Sequence, residues 1–235
     1  MSKGILYLIP SFLGESQAGN VFPPFNAKII SGISHFIVEE LRTARRFLKK
    51  VCPEINIDQL TFYIYNEHSS NADLKTFVEP LLNGNDTGII SEAGTPCVAD
   101  PGSGIVGMAH AAGIRVVPLA GPSSILLALM ASGFNGQQFA FHGYLPIEKH
   151  ARGKRIREIE QAMRLNNQTQ IFIETPYRNQ QLFKSILETC NDSTLLCLAV
   201  SLTEPGESIL SLSIREWKKR KPEINRKPTV FLLYF

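Results

Sequence analysis

The sequence predicts an α/β protein of two domains, the first with a mostly parallel sheet. Apolar runs suited to buried strands alternate with helical segments, and several strands lead directly into loops rich in glycine and proline. The alternation begins again after Pro118, and 235 residues are enough to bury two small cores. We therefore expect an N-terminal domain over residues 1–118 and a C-terminal domain over residues 119–235.

The first half of the chain alternates strands with helices. Residues 4–9 are a continuous apolar run, typical of a buried parallel strand. Residues 42–51 predict a basic amphipathic helix with Ala44, Phe47 and Leu48 on one side. The other elements expected here are strands at 35–38 and 61–65 and from 88 and 115, and helices from 27, at 73–82 and at 105–112. Such alternation favours a parallel sheet with helices on both faces.

The second half repeats this pattern. A long apolar helix follows Gly121 and Pro122, and a basic helix follows a Gly-Tyr-Leu-Pro turn at residues 143–146. We expect helices at 123–132, 152–164 and 180–190, and strands at 138–143, 170–174, 195–201 and 229–235. No internal repeat or low-complexity segment interrupts either half.

The loop after the fourth strand is the most informative feature for function. Residues 88–90 are an apolar strand, and residues 91–102 (SEAGTPCVADPG) are small, turn-forming residues with acidic side chains. Loops at the carboxyl ends of parallel strands form the crevice in which open α/β sheets bind small molecules, and glycines let backbone amides approach the ligand. A second strand followed by a Gly/Pro loop, residues 114–124, repeats the arrangement. We predict that both loops contact one ligand.

Several familiar kinds of site are excluded because the chain lacks their sequence motifs. The chain contains no GxxxxGK[ST] phosphate loop and no GxSxG nucleophile elbow. Its five histidines have no metal-ligand spacing, so no metal is expected. Ser123 is as well suited to cap the following helix as to bind a ligand.

Charge and cysteine content indicate the compartment. The net charge is +3, so any polyanion site must be a local patch. Four cysteines without a CxxC pair indicate a reducing compartment. No apolar run approaches the length of about 20 residues that a membrane span requires. We expect a cytoplasmic protein without a membrane partner.

An ordered set of segments resembles the tetrapyrrole methylase superfamily, and most closely its branch that methylates the 2′-hydroxyl of a cytidine in small-subunit (16S) ribosomal RNA. The strongest matches are residues 90–96 (ISEAGTP) with 100–102 (DPG). The others are residues 10–14 (PSFLG), 39–42 (EELR), 117–123 (VPLAGPS), 143–146 (GYLP), 172–176 (FIETP) and 202–203 (LT). The resemblance extends along nearly the whole chain.

The resemblance implies an S-adenosylmethionine-dependent methyltransferase, a homodimer with a mixed C-terminal sheet and a cofactor cleft between its two domains. S-adenosylmethionine carries no phosphate, which fits the lack of a phosphate loop. Carried over by position, the residues expected to bind it are Pro10, Gly14, Ser91, Glu92, Ala93, Gly94, Thr95, Pro96, Asp100, Pro101, Gly102, Pro122, Ser123, Ser124, Tyr144, Leu145, Glu174, Leu202 and Thr203.

The acceptor chemistry needs few groups. Methyl transfer is an in-line displacement, so the protein mainly aligns the nucleophile, the methyl group and the sulfur atom. A base assists a ribose hydroxyl by about 10²–10⁴-fold. Glu39, Glu40 and Glu67 are the candidate bases, and Arg42 and Asn66 the candidate orienting groups; the alternative is that all five are solvated polar residues at strand ends.

The chain departs from the branch on the acceptor side. Phe12 and Glu15 stand where the branch has proline and asparagine, residues 65–67 (YNE) shorten a His-Asp-His-Asn-Glu run, and Val200 and Ser201 replace an Arg-Glu pair. Residues 227–229 (KPT) stand where a Gly-Glu step precedes the last strand. The sequence therefore represents a divergent member.

Three functions follow. The first is an RNA methyltransferase, for which basic clusters at 42–50, 152–157 and 218–221 would contact phosphates. The second is a C-methyltransferase of a tetrapyrrole or corrin precursor, whose carboxylates would also favour positive charge. The third is a silent homologue that binds S-adenosylmethionine without transferring its methyl group. Ordinary solvated helix faces also explain the clusters.

Overall fold

A computed structural model of the chain describes residues 2–15, 21–65 and 74–235. It divides into two compact units, Met1–Ser123 and Ser124–Phe235. Each unit contains one five-stranded sheet with helices beside it. The predicted α/β fold class is confirmed, with a parallel first sheet and a mixed second sheet.

The first unit follows the predicted order of elements. Its strands are β1 Ile5–Ile9, β2 His35–Val38, β3 Thr61–Ile64, β4 Thr87–Ile90 and β5 Arg115–Pro118. Its helices are α1 Pro24–Ile30, α2 Leu41–Val51, α3 Leu74–Leu82 and α4 Ser103–Ala111, with a short 3₁₀ helix over Ile57–Gln59. The predicted short helix begins earlier than expected because Pro24, with its fixed φ, suits the first helical turn.

The first sheet has the strand order β3-β2-β4-β1-β5, and all its pairs are parallel. In this order β4 lies between β2 and β1, with Ile90 paired to Ile9 and Ile89 to Ile37. The carboxyl ends of all five strands therefore meet at one edge of the sheet, which we call the sheet A edge.

Helices cover the two faces of this sheet in separate cores. Ile30 of α1 and Phe47 of α2 pack on the face that includes Ile9. Phe77 of α3 and Ile105 of α4 pack on the opposite face. The chain leaving β4 therefore turns to one face, whereas the chains leaving its neighbours β1 and β2 turn to the other. Such divergence opens a crevice at the strand ends, where ligands bind in open α/β sheets.

The second unit contains a further strand that the sequence did not predict. Its strands are β6 Phe139–Tyr144, β7 Thr169–Ile173, β8 Leu195–Val200, β9 Ser208–Ser213 and β10 Thr229–Tyr234. Its helices are α5 Ser124–Ser132, α6 Lys149–Asn166, α7 Asn179–Thr189 and α8 Ile214–Trp217. The unpredicted strand is β9, which contains three serine and three aliphatic residues and pairs antiparallel with β8.

The second sheet has the order β6-β7-β10-β8-β9 and is mixed. β6 pairs parallel with β7, while β10 is antiparallel to both β7 and β8. The strands β6, β7 and β8 consequently end at one edge, which we call the sheet B edge. One core cluster, including Phe172, Phe231 and Trp217, packs α6 and α7 against this sheet.

The position of Arg152 corrects the prediction that the whole basic cluster at 152–157 would contact phosphates. It is 1% exposed, its Nε donates to Ser185 Oγ at 2.9 Å, and its Nη1 donates to the Ile147 carbonyl at 2.6 Å. A buried guanidinium engaged in this way is unsuited to contact phosphate on the surface. The helix also starts a turn earlier than predicted, because the Glu148 carboxylate accepts from the backbone N–H groups of His150 and Ala151.

Candidate functional site

The loop after β4 is fastened to the loop after β1 at the sheet A edge. The backbone N–H of Ser11 donates to the Gly94 carbonyl at 2.8 Å, and the Ser11 hydroxyl donates to the Glu92 carbonyl at 3.0 Å. Ser11 is buried. These bonds bring Pro10 and residues 91–96 together, as the sequence predicts. Ser11 itself was not among the predicted ligand residues, although its place directly after the first strand could have identified it.

The loop after β5 packs on the same β1 loop. A Cβ atom at Gly121 would lie 2.3 Å from Pro10 Cγ, so only glycine permits this approach. The side-chain amide of Asn26, a buried residue of α1, donates to the Ala120 carbonyl at 2.7 Å and holds the loop in place. The two Gly/Pro loops of the sequence prediction therefore both belong to the sheet A edge, with the β1 loop between them. No sequence pattern identified Asn26.

The β4 loop has an unusual backbone. Gly94 has φ +74°, Gly102 has φ +128°, and the non-glycine residues Cys97 and Ala99 have φ values of +66° and +56°. Non-glycine residues in this region are strained and concentrate at ligand sites. A Cβ at Gly94 would lie 3.1 Å from Leu13 Cδ2 and 3.5 Å from the Pro122 carbonyl oxygen. Gly94 thus keeps open the space between the loops.

Glu92 is held in place from α2. Its carboxylate accepts from the Thr43 hydroxyl at 2.7 and 2.8 Å and from the backbone N–H of Glu40 at 3.2 Å. Glu92 is exposed at the edge. A positioned carboxylate of this kind favours a cationic group nearby.

Asp100 shares this edge. Burial is the main cause that raises its pKa to about 6; the negative charges of Glu39 and Glu92 act in the same direction, and a hydrogen bond from Ser91 opposes the rise. Asp100 and Glu39 also line a small cavity that Ile37, Ile89 and Tyr65 help to enclose. The structure therefore brings together three of the predicted residues, Glu39, Glu92 and Asp100. They form a cluster of three carboxylates at the crevice.

Glu40 has a structural role. Its carboxylate accepts from the backbone N–H groups of Arg42 at 3.0 Å and Thr43 at 2.7 Å, and so caps the N-terminus of α2. These bonds lower the pKa of Glu40. The Arg42 side chain is exposed in the first turn of that helix. The predicted residues Asn66 and Glu67 lie outside the described residues.

The predicted ligand residues of the second unit lie at the sheet B edge. Tyr144 ends β6, Glu174 follows β7, and Leu202 and Thr203 follow β8. Tyr144 is exposed, whereas Leu145 and Leu202 are buried, so their side chains serve packing. Ser201 and Thr203 have φ values of +49° and +69°, which gives this loop a strained backbone as well. Ser124 begins α5.

Glu174 is engaged within its own segment. Its side chain is 1% exposed, and one carboxylate oxygen accepts from Arg178 Nε at 3.0 Å, from Arg178 Nη2 at 2.7 Å and from the Thr175 N–H at 2.6 Å. These contacts fix the turn that follows β7.

Within residues 2–15, 21–65 and 74–235, no group of three acidic, histidine or cysteine side chains is placed to hold a metal ion. None of the helices described there is long and apolar enough to cross a membrane. All four cysteines are free thiols.

The chain matches a protein-family model and several known proteins. Residues 26–217 match the family model of tetrapyrrole (corrin/porphyrin) methylases. The chain is 31% identical over 212 residues to ribosomal RNA small subunit methyltransferase I of Vibrio cholerae, an alignment covering 90% of this chain and 69% of the relative. It is 28% identical over 235 residues to the protein of the same name from Escherichia coli O157:H7, covering 99% of this chain and 78% of the relative.

Solved structures show the same fold. The methyltransferase CobJ matches with a TM-score of 0.65 at 17% identity, covering 99% of this chain and 94% of that protein. The cobalt precorrin-4 methyltransferase CbiF matches with a TM-score of 0.62 at 11% identity, covering 98% and 94%. At these identities the likeness concerns the fold alone.

Proposed function

Since the chain belongs to the tetrapyrrole (corrin/porphyrin) methylase family and is an S-adenosylmethionine-dependent methyltransferase, we propose that its methyl acceptor is RNA of the small ribosomal subunit, at a ribose 2′-hydroxyl. The relatives from Vibrio cholerae and Escherichia coli, which align along most of the chain, are named for this RNA and support an RNA acceptor. The corrinoid enzymes are only 11–17% identical, so a tetrapyrrole acceptor is not favoured.

The residues at the sheet A edge fit S-adenosylmethionine. This molecule carries a positive sulfonium between an amino-acid group and an adenosine, and it has no phosphate. The edge offers the positioned carboxylate of Glu92, the half-buried Asp100, and the space that a side chain at Gly94 would fill. When bound, S-adenosylmethionine supplies a methyl carbon that its sulfonium already activates.

We assign the methionine and sulfonium side of the cofactor to the first unit and the adenosine side mainly to the second. The first group contains Pro10, Gly14, Ser91, Glu92, Ala93, Gly94, Thr95, Pro96, Asp100, Pro101 and Gly102. The second contains Pro122, Ser123, Ser124, Tyr144, Leu145, Glu174, Leu202 and Thr203. The strained loops at 94–102 and 201–203 support both assignments, because such backbone is held at ligand sites. The predicted cleft between the domains stays a prediction.

The cluster of three carboxylates at the sheet A edge is the observation that supports the proposed chemistry. A ribose hydroxyl is a weak nucleophile, and a carboxylate positioned to accept its proton accelerates the transfer. We assign this role to Glu39, which lies close enough to Asp100 to raise its pKa and is not the cap of α2. Arg42, exposed beside it, would orient the acceptor through a phosphate.

We also infer a homodimer in the cytoplasm. Free thiols throughout suit a reducing compartment. Met130 on α5 is 79% exposed, so its side chain is available to an interface. Sedimentation equilibrium tests the dimer, and Met130→Glu should shift the protein toward monomer if this helix lies in the interface.

The test is transfer of tritium from methyl-labelled S-adenosylmethionine to small ribosomal subunits from a strain lacking the gene, followed by nuclease mapping. Total small-molecule extract from the same strain serves as the competing acceptor. Gly94→Val should abolish labelling, while Gly107→Ala, on the exposed face of α4 with no atom within 4 Å of the new Cβ, should not.

Each result has one meaning. Label at a ribose of the small-subunit RNA supports the proposal and locates the nucleotide. Label only in the small-molecule pool overturns it in favour of a tetrapyrrole-like acceptor. Cofactor binding without label in either fraction identifies a silent homologue.

A further inference from the structure

The segment from Arg215 to Lys227 contains one of the basic clusters of the chain. It contains seven Lys or Arg and two Glu, a net charge of +5, whereas the whole chain carries +3. Arg215 and Lys218 pair with Asp192, and Lys227 pairs with Glu223. In the part of the chain that the structure describes, no salt bridge engages the exposed cations Lys219, Arg220, Lys221 and Arg226. Unpaired surface cations at this density attract a polyanion.

The segment is held firmly against the second sheet. The buried amide of Asn179 donates to the Ile224 carbonyl at 3.2 Å and to the Lys227 carbonyl at 2.7 Å. The Arg226 N–H donates to the Pro176 carbonyl at 3.1 Å, and the Trp217 indole N–H donates to the Leu196 carbonyl at 2.8 Å. A surface fixed in this way loses little conformational entropy on binding.

An aromatic ring stands beside these cations. Tyr177 is 77% exposed, and the Arg226 guanidinium lies 5.7 Å from the centre of its ring. An exposed tyrosine next to arginine is the arrangement that single-stranded nucleic acid sites use, because every base has a face that stacks on an aromatic ring. An acidic peptide would use the cations but gain nothing from the ring.

The same segment also lines a groove. It has a volume of about 340 Å³, a floor that includes Leu198 and Leu210, and a cationic rim of Arg220, Lys221 and Lys227. This volume lies at the small end of the range for small-molecule sites. An apolar floor with a cationic rim suits a base and its flanking phosphate.

We propose that a single-stranded segment of the RNA acceptor binds along Trp217–Lys227 and stacks a base on Tyr177. This rests on the proposed function. Tyr177 follows β7 and Arg226 precedes β10, so the surface lies at the sheet B edge, the edge that also carries Tyr144 and Leu202. RNA bound at the Tyr177 end of this surface lies at the edge assigned to the adenosine side of the cofactor.

The test measures the affinity of the full chain for a short unstructured fluorescent RNA by anisotropy over a range of salt concentrations. Arg220→Gln with Lys221→Gln should weaken binding about tenfold and reduce the slope of log affinity against log salt by roughly 1.4, the value for two lost phosphate contacts. Tyr177→Ala should weaken binding roughly fivefold or more, and Tyr177→Phe should not. Lys75→Gln with Lys184→Gln, exposed lysines elsewhere, is the matched control and should change neither quantity.

The outcomes separate this inference from the proposed function. Folded variants that bind and methylate small subunits like the unmodified chain overturn the inference alone. Equal loss in Tyr177→Phe and Tyr177→Ala overturns stacking, and poly-glutamate that competes as well as RNA of equal charge indicates an acidic protein partner instead. If the unmodified chain labels no RNA but binds the oligonucleotide through these residues, the inference stands and the proposed function fails. If it neither labels nor binds RNA, both fail.

Discussion

The Thr43 hydroxyl lies 2.7 and 2.8 Å from the two carboxylate oxygens of Glu92, although the residues are 49 positions apart in the chain. The same hydroxyl lies 2.9 Å from the Glu40 carbonyl oxygen, and because it has one proton it shares that proton among these acceptors. The first turn of α2 therefore sets the position of a carboxylate on the β4 loop.

Thr43→Val should loosen Glu92 without changing the fold. A hydrogen bond to a charged, partly solvated group contributes about 1 kcal/mol, so affinity for S-adenosylmethionine should fall about fivefold. Thr43→Ser keeps the hydroxyl and should bind almost as the unmodified chain does. Calorimetry measures both. Equal affinities for the valine and serine variants would show that Glu92 does not depend on this contact.

Gly94→Val should abolish cofactor binding. The residue has φ +74°, which a β-branched side chain adopts only under strain, and its Cβ would already lie 3.1 Å from Leu13 Cδ2. Gly107→Ala is the control, because its Cβ meets open space. Calorimetry with S-adenosylmethionine, together with a melting curve for each variant, separates lost binding from lost folding. Unchanged affinity in a folded Gly94→Val protein would remove this loop from the site.

Glu39 and Glu40 should behave differently although they are neighbours. Glu39→Gln should lower kcat by about 100-fold or more, the range for loss of a general base. Glu40→Ala removes the cap of α2 and should lower the melting temperature by roughly 2 to 4 °C, with a much smaller change in kcat at 25 °C. Single-turnover rates and melting curves for both variants give the comparison. A kcat loss shared equally by the two would contradict this division of roles.

The sequence predicts most strands because each is a short apolar run bounded by turn residues, as in Ile5–Ile9 and Leu195–Val200. It does not predict the strand order β3-β2-β4-β1-β5, since that order depends on pairing between distant segments. Strand β9 is not predicted because three of the six residues of Ser208–Ser213 are serine, so only three apolar residues mark it.

The site is predictable to a similar degree. The loops with Gly94, Gly102 and Gly121 stand out because their glycines mark close approach or positive φ. The partners of these loops do not, because Ser11 and Thr43 act through contacts across the sheet edge. Arg152 shows the reverse error: in a basic helix it has the pattern of an exposed residue, yet Ser185, 33 positions later, helps to bury it.

Glu174→Ala should destabilise the second unit. The carboxylate is 1% exposed and accepts three hydrogen bonds from Arg178 and the Thr175 N–H, so its removal leaves those donors unpaired and should cost about 2 to 3 kcal/mol. Glu158→Ala, which breaks the exposed ion pair with Arg155, should cost about 0.5 kcal/mol or less. Urea unfolding measures both. Unchanged stability would show that these hydrogen bonds do not hold the segment, whereas lost cofactor affinity would support the assignment of Glu174 to the adenosine side.

Asp100 should make the protein less stable as the pH rises from about 4 to 6. Its pKa in the folded chain is about 6, above the ordinary value of 3.8, so the folded state binds this proton more tightly than the unfolded state. Ionisation therefore favours unfolding, and the loss is complete above pH 6; because Asp100 is partly exposed, solvent screening keeps that loss below the roughly 3 kcal/mol that the full shift would give. Asp100→Asn removes the charge, so the variant should exceed the unmodified chain in stability at pH 8, and the difference should shrink toward pH 4.

Asp192→Asn is the control of opposite sign. The hydrogen bond and charge of Lys218 lower the pKa of Asp192, so its ionised form stabilises the fold and the variant should lose stability at pH 8. Urea unfolding of the three proteins at several pH values gives both differences. A stability difference for Asp100→Asn that does not change with pH would mean that this carboxylate is not held at an elevated pKa. A pH-dependent gain, accompanied by loss of methyl transfer, would show that the chain accepts a less stable fold to keep a charged carboxylate at the sheet A edge.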